Sequence, residues 1–209
     1  AKNSGHVRVF DINNNGAAIL TESVDVSESE TGDFIIKDLK DSNTDTDEDP
    51  DGDAITYSII AGNTAGLFTI DSSNGKLSIA SGQSLDYETA TSHALTIEAS
   101  DGVISTTATI TVNVTNVNDN APDIANASAN IAEDQAADTS FLDLNDSHTT
   151  NDNDRDGNAI TYSITAGNDA GLFSIDDATG DLKIATGKAL DYESTTSHVL
   201  TVEASDGEN

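Results

Sequence analysis

The chain repeats itself without a gap at an interval of 105 residues. Asp51-Gly52-Asp53-Ala54-Ile55-Thr56-Tyr57-Ser58-Ile59 returns as Asp156-Gly157-Asn158-Ala159-Ile160-Thr161-Tyr162-Ser163-Ile164. Leu85-Asp86-Tyr87-Glu88 returns as Leu190-Asp191-Tyr192-Glu193, and Ala99-Ser100-Asp101-Gly102 as Ala204-Ser205-Asp206-Gly207. Between 51–102 and 156–207, 36 of 52 positions are identical, so both copies must fold alike. A period of this length is a whole domain, not the short unit of a solenoid. The chain is therefore expected to be a tandem array in which each copy closes its own core.

The same offset sets the expected boundaries. Val7-Arg8-Val9-Phe10-Asp11-Ile12 aligns with Val112-Asn113-Val114-Thr115-Asn116-Val117. Residues 1–15 thus read as the last strand and linker of a preceding repeat. Residues 16–119 form a first whole domain and residues 120–209 a second that lacks its last strand. Residue 1 reads as an excision point in a longer protein. An unpaired sheet edge is a template for a strand from elsewhere. Residues 5–12 are a spare strand of suitable sequence, and the sequence predicts head-to-tail strand complementation between copies.

Period-two alternation of apolar and polar residues dominates both copies. It runs through Ile55, Tyr57 and Ile59, through Leu95, Ile97 and Ala99, and through Ala108, Ile110, Val112 and Val114. Asn74-Gly75 marks a hairpin turn. No stretch shows sustained helical periodicity; Gln83–Thr89 is a turn or a single helical turn. About seven short strands per ~100 residues imply an all-β antiparallel sandwich with one buried face per sheet. The predicted core of the first domain holds Phe34, Ile36, Ile55, Tyr57, Phe68, Ile70, Leu77, Leu95, Ile97, Ile110 and Val112.

Charge narrows the function. The chain carries 38 acidic and 8 basic residues, a formal charge of −30. Nucleic acid and anionic membrane both need a positive footprint and are excluded as partners. No apolar run is long enough to span a bilayer. No cysteine is present, so neither a disulfide nor a thiolate metal site is available. A compact state this acidic repels itself unless cations are held.

Three acidic clusters recur with the strands that carry them. Glu28 returns as Glu133, Asp86 and Glu88 as Asp191 and Glu193, and Asp49 and Asp51 as Asp154 and Asp156, with Asp101 and Asp206 completing the third. Asp47-Glu48-Asp49-Pro50-Asp51-Gly52 imitates an EF-hand start, but that loop needs a bidentate glutamate at position 12, where Ser58 stands in a strand. The turn-forming acids around Thr44–Glu48 read as ordinary solvated surface. A glycosidase needs one carboxylate pair in a cleft, not the same pair in every repeat. No nucleophile-elbow context surrounds any serine. The chain is not expected to be an enzyme.

Asp-x-Asp-Gly-x-Ala-Ile-Thr-Tyr-Ser-Ile, Leu-Asp-Tyr-Glu, Ala-x-Asp-Gly and Asn118-Asp119-Asn120-Ala121-Pro122, in this order, resemble cadherin repeats. The closest flavour is the bacterial cadherin-like tandem domains of large RTX-type surface adhesins. The resemblance covers essentially the whole chain. It implies seven-stranded Greek-key sandwiches with up to three Ca²⁺ between consecutive domains, in an extracellular, cell-surface setting. Carried over by position, it implies one complete junction. Glu28, Asp86 and Glu88 come from the first domain. Asn118 and Asp119 offer side chains, and Val117 and Asn120 backbone carbonyls. Asp154, Asp156 and Asp206 come from the second domain. Incomplete sites are implied at Asp49, Asp51 and Asp101, where Asn13-Asn14-Asn15 replaces the linker, and at Glu133, Asp191 and Glu193. Asn116 stands where the family usually has aspartate, and Tyr87 where it has arginine. The function implied is a calcium-rigidified extender contacting neighbouring repeats of the same protein. The alternative is a module that itself binds a like domain or a polysaccharide, which an aromatic content of 4% does not favour.

Overall fold

The computed structural model describes residues 18–40, 53–145 and 154–208. The spare strand expected over residues 5–12, the Asn13-Asn14-Asn15 segment and the carboxylates Asp49 and Asp51 lie outside them. Two compact units divide at Val117/Asn118. Every element among the described residues is a strand, as the alternation predicted.

Among its described residues unit 1 has seven strands: β1 (Glu22–Ser27), β2 (Ile35–Asp38), β3 (Thr56–Ala61), β4 (Phe68–Ile70), β5 (Lys76–Ile79), β6 (Ser92–Ser100) and β7 (Ser105–Thr115). They form two sheets, β1-β7-β6-β3 and β2-β5-β4. The pairings are antiparallel except that β1 runs parallel to β7, from Glu22 opposite Ile110 to Ser27 opposite Thr115. Among the described residues β1 has no other strand partner. The β4–β5 hairpin turns at Gly75, whose φ of 71° favours glycine. Asp71 ties that turn by accepting from the Ser73 hydroxyl at 2.7 Å and the Ser73 N–H at 2.8 Å. Those bonds hold its carboxyl below the usual value, the hydroxyl contributing most.

The inward faces of β3, β5, β6 and β7 supply the core: Tyr57, Leu77, Ile79, Leu95, Ile97, Ile110 and Val112 are buried. Phe34 corrects the predicted list, being 38% exposed. It precedes β2 instead of lying in it, directly after Asp33, whose φ of 72° turns the chain. The two-residue spacing from Phe34 to Ile36 therefore does not carry both onto one face.

His93 sits near the start of β6 with its ring edge-on to Phe68, centroids 5.3 Å apart. Burial lowers its pKa from 6.5. The unfolded chain then binds the proton better than the fold does, so stability rises with pH between the two values. Unit 1 is expected to lose stability as pH falls from 6.5 through the lowered folded value. Denaturation midpoints measured across this window should slope less for His93→Gln than for the parent.

Unit 2 reproduces five of these strands at the same offset: β8 (Ser140–Asp143), β9 (Thr161–Ala166), β10 (Phe173–Ile175), β11 (Asp181–Ile184) and β12 (Thr201–Ser205). They form sheets β10-β11-β8 and β12-β9. The counterpart of β7 would follow Asn209. The counterpart of β1, residues 127–132, is not a strand and is largely exposed. In unit 1, among the described residues, β7 is the strand that β1 pairs with. β12 is also shorter than β6, keeping only the part that corresponds to residues 96–100. Leu95 and Ile97 are fully buried, whereas their counterparts Leu200 and Val202 are only partly so.

Candidate metal centre

Three carboxylates meet at one end of unit 1. Glu28 follows β1, and Asp86 and Glu88 lie in the turn between β5 and β6. An oxygen from each lies within 4.8 Å of the others. Glu28 is 6% exposed. Its Oε2 accepts from the Tyr87 backbone N–H and its Oε1 from the Val117 backbone N–H, both at 2.6 Å. One buried side chain thereby ties the end of β1 to the acidic turn and to the residue leaving β7. Asp86 is fixed by Thr89, whose N–H and hydroxyl donate to Oδ1 and Oδ2, each at 2.8 Å. A carboxylate has about four acceptor positions. These bonds orient the oxygens and leave capacity for a cation.

A second group forms within unit 2. Asp156 Oδ2 accepts from the N–H groups of Asp119 and Asn120 at 2.9 and 2.8 Å. The Asn120 side chain donates to Asp156 Oδ1 at 3.0 Å and to Asp119 Oδ1 at 2.7 Å. The Asn118 amide, turned with its nitrogen toward the acceptors, lies 2.9 Å from Asp206 Oδ2 and 3.2 Å from Asp156 Oδ2. Asp154 and Asp156 are buried. Asp154 Oδ1 accepts from the Asn158 N–H at 3.1 Å. Its Oδ2 is buried with no hydrogen-bond partner among the described residues.

The remaining expected residues are placed as partial sets. Glu133 Oε2 accepts from the Tyr192 N–H at 3.0 Å, repeating half of the Glu28 arrangement. Asp191 accepts from the Ser194 hydroxyl and N–H, which lower its pKa, the hydroxyl most. Asp101 Oδ1 accepts from the N–H groups of Val103 and Ile104 at 2.7 Å, a local turn role. Sequence reasoning missed the backbone donors of Tyr87 and Val117 and the Thr89 and Asn158 partners. An N–H leaves no mark in composition, but threonine or serine three residues after the aspartate, Thr89 and Ser194, is a signal that could have found the turn.

The donor chemistry fits a hard cation. Every side chain in both groups offers carboxylate or amide oxygen, the set that Ca²⁺ takes in six to eight contacts. His93 and His198 instead pack edge-on against Phe68 and Phe173. Carboxylates this close together repel, and a divalent ion is the simplest compensation. Asp154 Oδ2 is the kind of buried orphan that an ion would satisfy.

The cadherin-domain family profile matches residues 22–115 and again 127–209. The chain belongs to the cadherin family. Within it, the chain is 40% identical over 158 residues to human Protocadherin Fat 1, an alignment covering 73% of this chain and 3% of that protein. It is 41% identical over 174 residues to the Drosophila melanogaster protocadherin-like wing polarity protein stan, covering 78% of this chain and 5% of that protein. The chain thus spans a small fraction of the length of these cadherin relatives. Among solved structures it resembles human Protocadherin-24 EC1-2 with a TM-score of 0.69 and 26% identity, covering 91% of this chain and 86% of that one. It resembles mouse Cadherin-23 EC22-24 with a TM-score of 0.71 and 25% identity, covering 90% and 58%. The all-β, tandem-sandwich expectation is borne out. Among the described residues no helix is long and apolar enough to cross a membrane.

Proposed function

We propose that this cadherin chain is a calcium-stiffened extender and adhesion segment on the outside of a cell, with no catalytic activity. The observation that carries the reading is the Glu28, Asp86 and Glu88 cluster, tied by Glu28 to Val117. Val117 is covalently followed by Asn118, Asp119 and Asn120, which are bonded into the second acidic group. Two acidic half-sites thus lie on either side of one peptide bond. Glu28, Asp86 and Glu88 from unit 1 and Asn118, Asp119, Asp154, Asp156 and Asp206 from unit 2 would hold Ca²⁺ by side chain. The Val117 and Asn120 carbonyls would complete the set. The ion supplies positive charge that lets the carboxylates approach, and in doing so it restricts motion between units. Glu133, Asp191 and Glu193 would serve a following repeat, and Asp49, Asp51 and Asp101 a preceding one. The setting in a large bacterial surface adhesin is part of this reading, supported by Tyr87 between Asp86 and Glu88 in place of the arginine usual in the family.

The test is calcium removal. Extracellular modules bind Ca²⁺ with Kd values of about 10⁻⁴ to 10⁻³ M. Each ion bound at calcium some twentyfold above its Kd stabilises the fold by about 2 kcal/mol. Melting temperature should fall on adding chelator. The distance distribution between spin labels, one in each unit, should broaden. Unchanged melting and an unchanged distribution would remove the junction reading.

A further inference from the structure

The acidic group of unit 2 is closed by amide nitrogens. Asp156 Oδ2 accepts from the backbone N–H groups of Asp119 and Asn120 and from the Asn118 side chain, at 2.9, 2.8 and 3.2 Å. Its Oδ1 accepts from the Asn120 side chain at 3.0 Å. These donors fill the roughly four acceptor positions of one carboxylate. The Asn118 nitrogen also reaches Asp206 Oδ2 at 2.9 Å, while its oxygen accepts from the Asn158 side-chain nitrogen at 2.8 Å. Asn158 is in turn seated by its backbone N–H, which donates to Asp154 Oδ1 at 3.1 Å. Asp154 Oδ2 is the exception, buried with no hydrogen-bond partner among the described residues. All of these residues belong to unit 2.

Resting on the calcium reading above, we propose that the Asn118 amide is a latch that turns over when the cation binds, and that Asn158 sets which way it faces. With nitrogen inward, the donors around Asp156 leave no acceptor position for an ion. A half-turn about the last side-chain bond of Asn118 exchanges nitrogen for oxygen at the same place. That one motion withdraws a donor from Asp156 and Asp206 and puts a ligand oxygen beside them. Without a cation it is strongly disfavoured. The oxygen would face two carboxylate oxygens, and two amide nitrogens would face each other across 2.8 Å. A divalent ion reverses the first penalty. A matching half-turn of Asn158 removes the second, because its oxygen then accepts from Asn118. The two amides therefore turn together. The Asn158 side chain lies outside the proposed ligand set, so it acts as a positioning residue. The cation-free unit is thus a bonded state that the ion has to unlatch. Apparent affinity is the intrinsic affinity reduced by the unlatched fraction, which raises the calcium level at which unit 2 loads.

Nuclear magnetic resonance on the isotope-labelled full chain reads the latch directly. In chelator, the Asn118 side-chain nitrogen should show a through-hydrogen-bond coupling to the Asp206 carboxyl carbon. Saturating calcium should abolish that coupling and shift the side-chain amide signals of Asn118 and Asn158 together. Asn158→Asp leaves an acceptor only, which opposes the latch. One repeat earlier that position is Asp53, so the repeat tolerates the change. The variant should bind calcium about two- to tenfold more tightly, the worth of one neutral hydrogen bond. The gain should survive high salt, which screens an exposed added charge. Asn118→Leu should lower the melting temperature of unit 2 by several degrees in chelator, where no ion is present to lose a ligand. A coupling that persists in calcium, while calcium raises the melting temperature, would overturn the latch and leave the junction reading standing. No coupling in chelator, a gain lost at high salt, or unchanged melting of Asn118→Leu in chelator would overturn it as well. Calcium that alters neither melting nor the coupling would remove the junction reading and the latch with it.

Discussion

Glu28→Ala is expected to be the most damaging single carboxylate substitution in the chain. It removes the charged acceptor of two backbone N–H groups, those of Tyr87 and Val117, at a position with little access to water. Hydrogen bonds to a charged group contribute about 1.5–3 kcal/mol each, so roughly 3–6 kcal/mol is at stake. Relief of repulsion from Asp86 and Glu88 offsets part of this in calcium-free protein. With calcium the offset vanishes and an ion ligand is lost as well. The calorimetric deficit should therefore be larger in calcium than in chelator. Asp86→Asn is the control, because Asp86 is exposed and Thr89, three residues on, bonds to it locally. It should cost about 1 kcal/mol or less in chelator, as a surface polar contact does. Equal deficits for Glu28→Ala in calcium and in chelator would show Glu28 to be a structural clamp alone.

The second large effect is expected from completing unit 2. Extending the chain beyond Asn209 with a copy of Ser105–Val117 restores the alternation that fills the core of unit 1. Burying one Ile and two Val side chains stabilises by about 1.5–3 kcal/mol each, or roughly 5–9 kcal/mol in sum before ordering entropy is subtracted. The parent should show two thermal transitions, unit 2 melting first. The extended chain should bring them closer by raising the lower one. Amide exchange should show new protection over residues 127–132, because those residues regain the strand that their counterpart β1 pairs with. Slow exchange there in the unextended parent at high dilution would contradict this.

The repeat and its alternation made much legible. Tyr57 and Tyr162 alternate with isoleucine and are buried as expected. Glu28 stood out because Glu133 recurs at the same offset, and the structure brings it together with Asp86 and Glu88. Phe34 was misplaced because alternation assumes an extended chain, and Asp33 in a left-handed conformation breaks it. The clamp on Glu28 was invisible because its donors are backbone N–H groups, which any residue but proline carries. The loss of a first strand in unit 2 was invisible for a different reason. In unit 1 the counterpart β1 is paired by β7, whose residues lie 88 positions later, and local pattern does not report such dependence.

The parallel ladder of β1 and β7 has a mechanical consequence. The chain comes into unit 1 beside Thr109 and leaves it beside Ser27, at opposite ends of two strands that run side by side. A force stretching the array pulls these strands along their length in opposite directions. It loads the ladder in shear, with its bonds bearing the tension together instead of opening one after another like a zip. Glu28 spans the end where the load leaves, bonded to Val117 on the outgoing strand. A cadherin repeat closed in this way resists extension through the pairing that also completes its core.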